Sequence, residues 1–228
     1  MSGFAVLLIS AIAFALVLTG SISLLYRLLI NFQPSKNKVR QDFQKLRQEL
    51  DNWSSELIPW KGEELELLSV QQTNRTVKKG LTTIVKGMFT SIYHEPMVAY
   101  AYKKYVSSGK PNAILYARTS GQEFVYRLRN NEVQVQIDGE LVGSLKKGGL
   151  LYSARSQKPI ARLQRSQHQE LLPILVGDRE LASLPPASEE DSVHTRALQY
   201  LDDKINKQEE SLLLSLAILE LVERDIPG

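Results

Sequence analysis

The sequence predicts a mainly β domain, an antiparallel barrel-like or double sheet of about eleven strands, preceded by a single N-terminal transmembrane helix and completed by a buried hydrophobic C-terminal helix. Three observations predict it. Residues 1–26 carry no charged side chain, period-two alternation with turn residues recurs between about residues 65 and 184, and the late stretch SLLLSLAILELV is apolar on nearly every side. The expected organisation is an anchor over 1–30, an amphipathic helix over 31–59, a β-meander over 60–186 and C-terminal helices over 187–228.

The first segment, as a helix rising 1.5 Å per residue, would run about 39 Å, against a hydrocarbon core of about 30 Å. A cleaved signal peptide is the rival, with Thr19, Gly20 and Ser21 small enough for a cleavage site. The basic leader is missing and the apolar run is overlong, which favours an uncleaved signal anchor. Arg27, Lys36, Lys38, Arg40, Lys45 and Arg47 follow it. The positive-inside bias then places the N-terminus outside and the rest of the chain on the cytoplasmic side.

Val39, Phe43, Leu46, Leu50, Trp53 and Leu57 are spaced 4, 3, 4, 3, 4, a heptad seam on one helix face. Two readings compete: a coiled coil that pairs two chains into a weak homodimer, and a single helix laying the stripe on its own domain. Under about three heptads is short for a coiled coil, and Phe and Trp are poor knobs, so the single-chain reading is favoured. Pro59 closes the helix.

From about Leu65 the period changes. Phe124, Tyr126 and Leu128 take one face while Arg127 and Arg129 take the other, and Val133, Val135 and Ile137 oppose Gln134, Gln136 and Asp138. Asn130-Asn131 and Asp138-Gly139 fit two-residue hairpin turns, whose central positions need positive φ. Similar runs occur at LTTIVKGMFTSIY, MVAYAYKKY, NAILYART, GLLYSAR, PIARLQR, ELLPILV and RELASL, with a first strand over residues 65–71.

Two helices are expected at the end. The first, capped by Asp191 or Ser192, would carry Val193, Ala197, Leu198, Leu201 and Ile205 as a docking stripe. The second follows Glu209 and Glu210, acids suited to a helix N-terminus. Residues 212–222 reach only about 16 Å as a helix and include Glu220, so they do not cross a bilayer. A helix apolar all round is surrounded by protein, and the surface able to surround it is the inner face of the meander.

The repeated glycine hairpins in IDGELVGSLKKGGLLYSARSQKPIARL, followed by the SLLLSLAILEL helix, resemble the Tubby C-terminal-like superfold, which includes LURP-one-like proteins and phospholipid scramblases. That resemblance spans roughly residues 60–228 and implies a β-barrel threaded by a hydrophobic helix. A lipid-handling, scramblase-like activity is the alternative function it implies. The calcium-binding acidic segment and cysteine cluster of scramblases have no counterpart here, and the phosphoinositide-contacting residues of Tubby proteins cannot be placed on this chain.

Charge is segregated along the chain. Over residues 61–170, 17 Lys or Arg stand against 9 Asp or Glu; over 171–228 the balance is 5 against 12, and the whole chain of 228 residues carries +3. Lys78, Lys79, Lys103, Lys104, Lys110, Lys146 and Lys147 are a candidate patch for anionic lipid headgroups; the competing reading is solvated turn residues. Tyr93, Tyr100, Tyr102, Tyr105, Tyr116 and Tyr126 interleave with basic residues as in single-strand stacking platforms. Alternating Tyr in a strand is ordinarily sheet face, so no nucleic-acid partner is expected.

Catalysis has little support. The absence of cysteine excludes disulfides, thiolate metal sites and a cysteine nucleophile. His94, His168 and His194 lack ligand spacing, GSLKKGGL lacks the Lys-Ser/Thr of a phosphate loop, and Asp202, Asp203, Glu209 and Glu210 suit capping better than an ion. A hydrolase with a non-local site is the least favoured reading. The expected function is a membrane-tethered, non-catalytic binding or scaffolding module with no cofactor, engaging anionic lipid headgroups or a protein partner.

Overall fold

The period-two stretches pair strictly in sequence order, giving one antiparallel sheet of 12 strands, β1 to β12. The computed structural model describes residues 3–32, 34–107, 109–165, 171–185 and 196–226. The strands are β1 Leu68–Lys78, β2 Thr83–Ser91, β3 Pro96–Lys104, β4 Asn112–Arg118, β5 Glu123–Arg129 and β6 Glu132–Ile137. They continue as β7 Glu140–Leu145, β8 Leu150–Ser153, β9 Pro159–Leu163, β10 Leu172–Val176, β11 Arg179–Leu184 and β12 Tyr200–Leu201. The sheet curls back on itself: Ser69 bridges Arg196, and the Ala197 N–H donates to the Leu68 carbonyl at 2.7 Å.

The enclosed space holds α3, Lys207–Asp225, whose residues from Leu212 to Val222 are all buried. Its N-terminus is a capping box: the Asn206 side chain accepts from Gln208 N and Glu209 N, and Glu209 accepts from the Asn206 N–H. Ser215 and Glu220, the buried polar residues of α3, find partners. Tyr126 donates its hydroxyl to Ser215 O at 2.9 Å, and Glu220 lies 2.6 Å from Arg165 and 3.0 Å from Arg224. Apolar burial supplies the rest, about 1.5–3 kcal/mol for each enclosed Leu or Ile.

A second core lies outside the barrel. Helix α2, Lys36–Asp51, is capped by Ser35 and lays Leu46 and Leu50 on Met88, Ala99, Ala101, Ile114 and Tyr116. Strand β3 therefore reads as an almost unbroken apolar run, because α3 covers its inner face and α2 its outer one. Beneath α2 the Asp42 carboxylate, 2 % exposed, meets Lys38 at 3.0 Å, Lys103 at 2.9 Å and the Tyr105 hydroxyl at 3.0 Å. Burial alone would raise the Asp42 pKa, but hydrogen bonds from Lys103 and Lys38 outweigh it and hold the carboxyl below its usual range.

Two glycines let backbones meet. A Cβ on Gly143 would overlap the Tyr152 carbonyl across β7 and β8, and one on Gly149 (φ +82°) would overlap the Leu163 carbonyl. The hairpin turns have the expected geometry: φ is 53° and 66° at Asn130 and Asn131, and 51° and 83° at Asp138 and Gly139.

Several expectations are corrected. The single-pass membrane anchor is not supported, because among the described residues no helix is long and apolar enough to cross a membrane. Helix α1 runs Gly3–Phe32 and carries the apolar residues of the expected anchor. That stretch also contains Thr19, Gly20, Ser21 and Ser23, with the Thr19 and Ser21 hydroxyls donating to carbonyls of Ala15, Leu16 and Val17. The signal-anchor assignment falls with the span, as does the placement of the N-terminus outside and the remainder on the cytoplasmic side.

The docking helix over Ala197–Ile205 is likewise replaced by extended chain and β12. Its backbone is spent on the sheet, with Gln199 N donating to Ser183 O and Asp202 N to Leu181 O. Asp191, Ser192 and Val193 lie outside the described residues, as do His168 and His194. Residues 65–67, expected to begin the first strand, belong instead to a 3-10 turn, Gly62–Leu67, and the described residues form twelve strands where about eleven were expected.

Candidate functional site

In an up-and-down meander alternate turns share an end, so the turns after β1, β3, β5, β7, β9 and β11 gather at one rim. Every candidate lysine is at that rim: Lys78 and Lys79 at the β1–β2 turn, Lys103, Lys104 and Lys110 at β3–β4, Lys146 and Lys147 at β7–β8. They are not equivalent. Lys103 is spent on Asp42, and Lys146 Nζ sits 4.6 Å from the Tyr152 ring centroid. Among the described residues no carboxylate lies within salt-bridge reach of Lys78, Lys79, Lys104, Lys110 or Lys147.

The acids sharing that end are mostly occupied. Asp225 pairs with Arg75 at 2.8 Å, and Arg165 reaches both Glu220 and Glu223. Glu223 is nonetheless held above the usual carboxylate range, chiefly by burial, with the neighbouring Glu220 adding to it and Arg165 opposing. At the opposite end Glu95, Asp138, Glu140, Asp178, Asp203 and Glu210 occupy turns or the α3 N-terminus. Lys61, Arg155, Lys158, Arg179, Lys204 and Lys207 lie there too, but with Asp202 and Glu209 the carboxylates outnumber them. The described molecule is therefore basic at one end and acidic at the other.

The remaining candidates fall in other places. Val39, Phe43, Leu46, Leu50, Trp53 and Leu57 all pack into the outer core under α2, with Leu46, Leu50 and Leu57 buried and Val39, Phe43 and Trp53 partly so. Tyr100, Tyr102, Tyr105, Tyr116 and Tyr126 are buried and only Tyr93 of the interleaved tyrosines is exposed. Burial pushes the Tyr100 phenol far above its ordinary value, and its hydrogen bond to Asp225 adds to this.

Asp202 and Glu209 both pair with Arg179, at 3.5 and 2.7 Å. Among the described residues no cluster of three or more His, Cys, Asp or Glu could hold a metal ion. His94 sits exposed in the β2–β3 turn at φ 65°.

Sequence reasoning missed Arg40 and Arg127 as members of any site. Both line an open groove of about 680 Å³ between α2 and the outward faces of β4, β5 and β6. The available signal was local: Lys36 and Arg40 are one helical turn apart, and Arg127 and Arg129 share an outward strand face.

Fold and site together define a class, a closed antiparallel meander around its own C-terminal helix with a cationic rim. No family model, curated protein or solved structure matches the chain.

Proposed function

We propose that the protein is a non-catalytic binding module whose lysine-bearing rim engages anionic lipid headgroups. The observation that carries this reading is the gathering, at one end of the barrel, of lysines that have no carboxylate partner among the described residues, opposite an acidic end. Each lysine held near an anionic surface contributes about 1 kcal/mol, and the attraction decays within a Debye length of about 8–10 Å. Several such residues on one rim act together only on a surface broad enough to meet them all, which a bilayer provides. The enclosure of α3 supports the resemblance to the Tubby C-terminal-like superfold. It also favours binding over lipid passage through the barrel, since the helix occupies the interior.

Vesicle pelleting tests this. The full chain should bind phosphatidylcholine vesicles containing 30 % phosphatidylserine more tightly than phosphatidylcholine alone, and the difference should vanish at about 1 M salt, where the Debye length is about 3 Å. Replacing Lys78, Lys79, Lys146 and Lys147 with glutamate should remove the anionic preference. Equal binding to both vesicle types, or an unaltered preference in that variant, refutes the proposal.

A further inference from the structure

The groove beside α2 is distinct from the rim. It runs down the outer wall from the α2 N-terminus, with an apolar floor of Val39, Phe43, Ile114 and Val125. Below Phe43, Arg47 and Glu123 bridge α2 to β5 at 2.9 Å and close the lower end. Toward the rim its lining turns cationic: Lys36, Arg40, Arg127 and Arg129, against a single carboxylate, Glu132. From Lys36 to Phe43 the distance along α2 is roughly 10 Å.

Arg127 is the informative residue. Its Nη1 donates to Ala113 O at 2.7 Å and Leu128 O at 2.8 Å, its Nη2 to Asn112 Oδ1 at 2.6 Å, and its guanidinium lies 5.7 Å from the Tyr105 ring centroid. All of these partners are neutral. A half-buried cation is ordinarily paired, because taking it out of water costs several kcal/mol; here the neighbour is another cation, Arg129. Burial chiefly, and Arg129 in addition, depress the Arg127 pKa, while Tyr105 opposes them. The side chain is held in place and its field is uncompensated.

We propose that this groove binds an anion-headed amphiphile, its head on Lys36, Arg40, Arg127 and Arg129 and its chain along Val39, Phe43, Ile114 and Val125. Charge complementarity selects an anion, and the apolar floor selects a chain attached to it. The volume falls in the range of about 300–1,000 Å³ typical of small-ligand sites. The inference does not depend on the rim contacting a bilayer.

The test uses the full chain and displacement of 11-(dansylamino)undecanoate by soluble competitors below their micelle concentrations. Decanoate and decyl phosphate should displace the probe, with affinity rising about threefold to fourfold per methylene from hexanoate to decanoate. Decanol and inorganic phosphate should each be at least tenfold weaker than decyl phosphate. Charge reversal at two exposed positions, Arg40→Glu with Arg129→Glu, should weaken decanoate at least tenfold, and Val125→Trp should abolish the chain-length dependence by filling the floor.

Decanol binding as tightly as decanoate would reduce the effect to apolar adsorption and overturn the proposal. Phosphate binding as tightly as decyl phosphate would reduce it to an ion site, with the same consequence. Unchanged decanoate affinity in the double variant would place the amphiphile elsewhere, for instance on the exposed apolar side chains of α1, and would also overturn it. The double variant carries the decision if Val125→Trp does not fold. Because it leaves Lys78, Lys79, Lys146 and Lys147 intact, failure of the groove and failure of the rim give separate results.

Discussion

Replacing Ile218 with aspartate tests the enclosed helix on which the fold depends. Ile218 is 0 % exposed at the middle of α3. Losing its burial costs about 2 kcal/mol. The carboxyl that replaces it would have an unfolded pKa near 3.9 and a folded value raised by about 3–5 units, since nothing solvates the anion there. At pH 7 the folded chain must therefore bind a proton that the unfolded chain releases, at about 1.36 kcal/mol per pH unit over roughly three units, or about 4 kcal/mol. A neutral but unsatisfied carboxyl adds about 1–3 kcal/mol. The sum is comparable with the whole stability of an ordinary domain, about 5–15 kcal/mol.

The pH dependence distinguishes this mechanism from simple damage. The folded pKa is raised, so the destabilisation is greatest above it and recedes as the pH falls toward the unfolded value. Urea denaturation followed by circular dichroism should show Ile218→Asp recovering about 4 kcal/mol relative to the parent between pH 7 and pH 4. Ile218→Asn, which cannot titrate, should keep a constant gap. If Ile218→Asp keeps the parental midpoint at pH 7, or loses stability equally at both pH values, the side chain is not enclosed and the architecture argued from it is wrong.

Asp42→Asn should cost about 3 kcal/mol, because it strands Lys103 and Lys38 beneath α2. The folded pKa of Asp42 is lowered, so its contribution is complete above the unfolded value near 3.9 and disappears as the pH falls through the folded one. Thermal melts should accordingly show parent and variant converging in acid and separated at neutral pH. Gly143→Ala should cost at least about 2 kcal/mol by forcing β7 and β8 apart at Tyr152, whereas Gly121→Ala, where a Cβ meets nothing within 4 Å, should change chemical-denaturation midpoints by no more than about 0.5 kcal/mol.

Much of the sheet was legible because in-and-out alternation is a local property. Phe124, Tyr126 and Leu128 announce an inner face without knowledge of any partner, and Asn130-Asn131 announces the turn that pairs β5 with β6. Residues 196–205 were misread for the opposite reason. Ala197, Leu198 and Leu201 have helical spacing, but the backbone groups of the segment are claimed by other strands, β11 and the sequence-distant β1. The α2 seam was readable, and the unbroken apolar runs of β3 and β4 signal that both their faces are covered, yet which element covers the outer faces was not legible, because that pairing is made between segments far apart in sequence. The groove was invisible for that reason: Arg40 and Arg127 meet only through the docking of α2.

Chain connectivity explains why the charge pattern looked different in one dimension. The sequence suggests a basic central region and an acidic C-terminal one. Antiparallel order divides both between the two ends, since α3 carries Glu209 and Glu210 at one end and Glu220, Glu223 and Asp225 at the other. The second set is occupied by Arg165, Arg224 and Arg75. Among the described residues, what remains uncompensated at that end belongs to turns of one parity, after β1, β3 and β7. Folding stability does not demand lysine at those turns; an exposed turn accepts most polar residues, and isolated surface charges are worth about 1 kcal/mol or less to the fold. Their common end gives them a joint potential that no single turn possesses, and only a partner wide enough to reach several turns at once can draw on it.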